Sequence, residues 1–216
     1  MNIGILGTGM VGQTIGTKLI QLGHNVKMGS RSSGNEKATA WVSGQPGNAS
    51  EGTFKDAAAF GEIVFICTSG ANTLDAVASA GAQNFKGKTV IDLSNPLDFS
   101  KGMPPFLIAE LSNTNSLGEE IQKALPEAHV VKSLNTVNCQ IMVNPGLLSE
   151  DSLIFVCGNN NDSKKTVSDL LKTFGWKDII DLGDITASRT VEMLIPFWVK
   201  IMSHLNTPLF NFKIVK

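Results

Sequence analysis

Asn2-Ile3-Gly4-Ile5-Leu6-Gly7-Thr8-Gly9-Met10-Val11-Gly12 runs from an apolar strand pattern directly into three spaced glycines. Beyond it Val11, Ile15, Leu19 and Leu22 recur at helical spacing, and Gly23 closes the pattern as a C-cap. A GxGxxG set between a strand and an amphipathic helix opens a dinucleotide-binding βαβ unit. Each glycine has its own task there. Gly7 permits the tight turn, Gly9 lets the backbone approach a pyrophosphate, and Gly12 lets helix and strand pack closely. The free N–H groups at the helix start attract the phosphates.

Working outward, short apolar runs alternate with helical patterns. Asn2 to Leu6, Asn25 to Met28, Ile63 to Cys67, Thr89 to Leu93, Val130 to Leu134, Leu153 to Cys157 and Asp178 to Asp181 read as strands. Further helices are expected over Thr53 to Phe60, Ala71 to Ala80, Leu117 to Leu125, Ser163 to Phe174 and Ala187 to His204, the last kinked at Pro196. Val42 to Gly52 reads as a surface loop and Ser94 to Pro105 as a long connection. The alternation predicts an α/β fold, a Rossmann-type doubly wound parallel sheet. It forms one domain over residues 1–216, in which 141–216 is a small C-terminal α/β lobe.

The residue closing the second strand meets the adenosine ribose and so selects the cofactor. That strand ends Val26-Lys27-Met28-Gly29-Ser30-Arg31, with no Asp or Glu to accept from a ribose hydroxyl. Ser30 and Arg31 offer a hydroxyl and a guanidinium, which suit a 2′-phosphate, and Lys37 adds a second positive charge. NADP(H) is therefore expected over NAD. The nicotinamide should lie where the central strands end, at Thr68-Ser69-Gly70, at Asn95-Pro96 and along Lys132-Ser133-Leu134-Asn135-Thr136.

The chain has no tyrosine, which excludes the Tyr/Lys pair of short-chain dehydrogenases. Its three histidines, His24, His129 and His204, fall before strands or near a helix end, away from the carboxyl ends of strands where such folds do chemistry. No catalytic acid or base is identified, and no metal-ligand spacing is present. Cys67 and Cys139 have no neighbouring base and read as small buried residues. Hydride transfer to a flavin or deazaflavin suits this deficit, because the carrier brings the hard chemistry with it. A reductase of a small carbonyl or imine, and a non-catalytic NADPH-sensing module, are the alternatives.

A net charge of -1 and 42% hydrophobic content give no reason to expect nucleic acid or an anionic membrane. The longest apolar run, Met193 to Val199, is far too short to span a bilayer, and the amino terminus does not read as a signal peptide. Three cysteines without a CxxC pair fit a reducing cytoplasm. The apolar last helix and Pro208-Leu209-Phe210-Asn211-Phe212 make a homodimer a candidate state; the other expected partner is a small molecule.

Five motifs share an order: the glycine loop, Gly29-Ser30-Arg31, Val131 to Thr136, Val156-Cys157-Gly158-Asn159-Asn160, and Ser188-Arg189-Thr190-Val191-Glu192-Met193-Leu194-Ile195-Pro196. Together they resemble the NADPH-dependent coenzyme F420 reductase family over nearly the full length, and more weakly the NADPH-binding domain of the STEAP metalloreductases. The resemblance implies that Thr8, Gly9, Met10 and Val11 line the pyrophosphate and that the two cofactors meet near Asn95 and Asn135. Two departures fall at the acceptor side. Asn135 stands where the F420 enzymes carry a His, and Ser69-Gly70 where they carry Pro-Trp.

Overall fold

The computed structural model describes residues 1–215. In β1 (Asn2–Leu6), Ile3 and Ile5 enter the core on one face of a sheet and Leu6 enters the core on the other. A strand covered on both sides reads as a continuous apolar run, and such runs made the central strands legible. After β1 come α1 (Met10–Gln21), β2 (Asn25–Ser30), α2 (Glu36–Ser43), β3 (Ala49–Thr53), α3 (Phe54–Phe60), β4 (Ile63–Ile66), α4 (Thr73–Ala80) and β5 (Thr89–Asp92). The chain continues through β6 (Leu97–Asp98), β7 (Phe106–Leu107), α5 (Leu117–Ala124), β8 (His129–Ser133), α6 (Cys139–Val143), β9 (Leu153–Gly158), α7 (Asn161–Phe174), β10 (Asp178–Asp181) and α8 (Ser188–Leu205). No helix among the described residues is long and apolar enough to cross a membrane.

One eight-stranded sheet orders the strands β10-β9-β8-β5-β4-β1-β2-β3. From β3 to β8 all pairings are parallel, and the order reverses between β1 and β4, which opens a crevice at the carboxyl ends. The strands of the C-terminal lobe extend this same sheet.

Three expectations need correction. β9 runs antiparallel to β8, so the sheet is mixed. The only α-helix between them, α6, has five residues and spans ~7 Å, whereas five residues of strand cover ~16 Å. Such a crossover leaves the chain at the carboxyl edge, and β9 starts there. The supposed loop Val42 to Gly52 contains the end of α2 and most of β3. α2 forms because the Asn35 side chain accepts from the N–H groups of Lys37 and Ala38, while Ala38 and Trp41 are its only buried residues. β3 is an edge strand, paired only with β2, so its sequence Ala-Ser-Glu-Gly-Thr carries no apolar run. Within Ser94 to Pro105, Leu97 and Asp98 form β6, which pairs with β7 as a separate two-stranded ribbon. The last helix continues through Pro196 to Leu205.

Candidate functional site

The glycine loop sits at the reversal point. Gly7 has φ +125°, and its N–H donates to the Gly29 carbonyl at 3.0 Å. A Cβ on Gly7 would lie 2.6 Å from the Cys67 carbonyl oxygen, so this position excludes side chains twice over, by conformation and by space. A Cβ on Gly12 would run into the Gly7 carbonyl oxygen. At Gly9 it would meet nothing within 4 Å. Gly9 is the N-cap of α1 and no side chain caps the helix, so its first-turn amides are left for an acceptor from outside. The Gln13 amide holds the loop by donating to the Thr8 carbonyl at 3.0 Å.

Two adjoining cavities surround this loop. One, of about 510 Å³, is lined by Gly7, Thr8, Gly9, Arg31, Thr68 and Ser69 among others. The second, of about 620 Å³, is lined by Gly7, Thr8, Ser30, Arg31, Asn35 and Lys37 among others. Arg31 and Phe54 border both. Arg31 is exposed and pairs with no carboxylate among the described residues. Ser30 is buried, its hydroxyl donating to the Ser32 carbonyl, which leaves its oxygen as an acceptor and its neighbours as the donors. Two acids border these cavities, Asp75 the first and Glu36 the second, while Glu51 accepts from the Gly34 N–H at 3.1 Å. An open amide cluster and an unpaired guanidinium bordering two cavities fit a phosphorylated dinucleotide.

The expected nicotinamide residues divide. Thr68 and Ser69 line the first cavity. Gly70 is buried against the Asn95 carbonyl, so closely that no Cβ fits. Asn95 donates from Nδ2 to the Asn135 carbonyl, and Asn135 donates from Nδ2 back to Asn95 Oδ1, both at 2.9 Å. Asn135 also donates to the Val191 carbonyl at 3.1 Å. Gly70, Asn95, Pro96 and Asn135 thus form a packed layer around one another behind Ser69. Met10 is exposed beside Gly9, and the Val11 side chain packs against the core. The Cys67 thiol is held well above its usual pKa by burial and by Asp92, so it supplies no thiolate.

Lys132 belongs by sequence to the strand end expected near the nicotinamide, and the structure turns it inward instead. Its ammonium is fully buried, 2.8 Å from Asp92 Oδ2 and 2.8 Å from Glu192 Oε1. Burial pulls the Lys132 pKa down, but the two carboxylates outweigh it and the net shift is upward. Burial raises that of Glu192. Glu192 also accepts from the N–H groups of Leu117 and Gly118 at 2.9 and 3.0 Å, at the positive amino end of α5. Next to it Ser188 and Ser116 share a hydroxyl hydrogen bond, and Arg189 makes a two-pronged pair with Glu119. The Ser-Arg-x-Val-Glu segment therefore docks the last helix onto α5 and β8. Asp92, Lys132 and Glu192 each stand in apolar surroundings in the sequence, and that was the one local sign of the cluster.

The family model described as NADP oxidoreductase, coenzyme F420-dependent, matches residues 2–96. The F420-dependent NADP reductase of Methanocaldococcus jannaschii is 30% identical over 145 residues, covering 67% of this chain and 64% of that protein. Metalloreductase STEAP3 of Rattus norvegicus is 27% identical over 200 residues, covering 91% of this chain and 37% of that one. The chain thus spans less than two thirds of either curated relative. A crystal structure of a proposed F420-dependent NADP reductase from Arthrobacter sp. fb24 superposes with a TM-score of 0.95 at 45% identity, each chain covered in full.

Proposed function

This chain belongs to the family of coenzyme F420-dependent NADP oxidoreductases, and on that premise we propose that it passes hydride between NADPH and a flavin-like or deazaflavin carrier. The observation that carries the cofactor half is Arg31, unpaired and bordering both cavities at the end of β2, beside an uncapped helix start. In this reading the first-turn amides of α1 hold the pyrophosphate, Arg31 and Lys37 face the 2′-phosphate next to Ser30, and Thr68 and Ser69 flank the nicotinamide. The nicotinamide, when bound, supplies the hydride.

The chain's own part is to bind, orient and exclude water. Besides Thr68 and Ser69 the cavity wall carries a protonated Cys67 and, on α4, Asp75, and no histidine, lysine or tyrosine to serve as a general acid near neutral pH lines it. An acceptor whose conjugated ring spreads the charge left by the hydride does without such an acid, and this supports a flavin-like carrier over a carbonyl. The chain works as a single domain in the cytoplasm, consistent with three free cysteines. Exposed Phe197, Leu205 and Leu209 on and after α8 support a homodimer, and a monomeric sedimentation profile at about micromolar concentration removes that part.

NADPH oxidation measured against flavins, coenzyme F420 and ferric chelates tests the reading. Turnover with F420 or a flavin, faster with NADPH than with NADH, is expected. Oxidation only with a carbonyl or imine overturns the carrier; tight NADPH binding without any oxidation makes the chain a sensor.

A further inference from the structure

The nucleotide reading makes no use of the buried charges at the carboxyl ends of β5 and β8. They are also an expensive way to hold a helix, because replacing a buried ion triad with apolar residues is often neutral or stabilising. Apolar packing, however, does not aim backbone groups. Lys132 Nζ donates to the Ser94 carbonyl as well as to Asp92 and Glu192. Asp92 Oδ1 accepts from the Ser94 N–H at 2.8 Å and from its hydroxyl at 2.6 Å. Ser94 is thus held on both its amide and its carbonyl, immediately before Asn95. Asn95 is locked to Asn135, and Asn135 to the Val191 carbonyl, one residue from Glu192. Leu134, between Lys132 and this lock, has φ +62°, a conformation that leucine keeps only when its surroundings impose it. The Asn95 carbonyl rests against Gly70, and Gly70 continues into Ser69 and Thr68 on the cavity wall. Contacts run without a break from the Lys132 ammonium to that wall.

We propose that Lys132 is a positioning residue: through Asp92, Ser94 and Asn95 it sets the Thr68-Ser69-Gly70 wall against which the nicotinamide end of the dinucleotide packs, and through Glu192 it clamps α8 behind that wall. The proposal rests on the reading of the two cavities as an NADPH site. It adds that the nicotinamide half, and not the adenosine half, depends on the interior charge cluster, because Ser30 closes β2, Arg31 follows it and Lys37 lies on α2, and none of the three pairs with that cluster.

Calorimetric titration of the full chain with two probes separates these halves. NADPH carries both; 2′,5′-ADP carries the adenosine and the 2′-phosphate without a nicotinamide. Lys132→Met is expected to weaken NADPH ~10-fold and 2′,5′-ADP by less than ~2-fold. Glu192→Gln, which keeps the side-chain shape and the Lys132–Asp92 pair, is expected to shift NADPH in the same direction by ~3-fold, and it carries the test alone if Lys132→Met does not fold. Unfolded material lowers the number of sites and leaves their affinity unchanged, so a merely structural role does not move the ratio of the two affinities. An unchanged NADPH affinity in the folded variants, or equal losses for both probes, overturns the proposal. Failure of the parent chain to bind either probe overturns the nucleotide reading itself, and this proposal with it.

Discussion

Where β1 meets α1 the chain works with backbone, empty space and a solvent-facing guanidinium, whereas at the ends of β5 and β8 it works with three charges sealed from water. The first region loses only a ligand contact when a group is removed, because water takes the group's place. The second leaves partners buried and uncompensated, so the same kind of substitution acts on the fold. Contact with the adenosine end is therefore separable from stability along this one sheet, and substitutions at either end test that separation.

The largest effect is expected from Lys132→Met, which strands Asp92 beside Glu192 and should lower the unfolding free energy by about 3–5 kcal/mol in a denaturant titration. Arg31→Ala should stay within about 0.5 kcal/mol of the parent in the same titration. Near-equal stabilities for these two variants would break the contrast. Next comes a pair inside the glycine loop. Gly12→Ala drives a methyl group into the Gly7 carbonyl and should cost about 2–3 kcal/mol of stability. Gly9→Ala has room in the protein and should melt within about 0.5 kcal/mol of the parent while binding NADPH more weakly. Should Gly9→Ala bind as the parent does, that glycine is not where the phosphates approach.

Arg31→Ala is expected to weaken NADPH by ~10- to 100-fold and to leave NADH nearly unchanged. Equal losses would show that Arg31 does not read the 2′-phosphate. The smallest effect is at Glu119, whose pKa is lowered chiefly by its hydrogen bonds from Arg189. A depressed carboxylate contributes stability above its unfolded value, near pH 4.3, and loses it as the pH falls through the lower folded value. The stability gap between the parent and Arg189→Met, about 1 kcal/mol for a pair with a part-exposed guanidinium and a buried carboxylate, should therefore close between about pH 5 and pH 3. A gap independent of pH would assign Arg189 to packing alone.

Legibility followed the same division. The central strands stood out because Ile63 to Ile66 and Leu153 to Cys157 are covered on both faces, so burial wrote itself into consecutive residues. β3 leaves no apolar run because an edge strand tolerates polar residues, and α2 leaves no stripe because only two of its residues are buried. At the site, Gly7 through Gly12 and Ser30-Arg31 were legible because turn, helix start and strand end lie within one βαβ unit. Lys132, read with the strand-end residues near the nicotinamide, instead meets Asp92, forty residues away. Strand alternation identifies two faces but does not say which neighbour lies across them.

By itself the sequence determined the glycine loop, the cationic end of β2 and the alternation of strand and helix, since each rests on φ/ψ preference, capping or burial of residues close along the chain. The direction of β9, the Asn95–Asn135 lock and the pairing of Lys132 with Asp92 and Glu192 were decided only by the tertiary structure. They depend on which strands became neighbours and which helix closed over them, and a buried charge declares its partner only after the groups around it have excluded water.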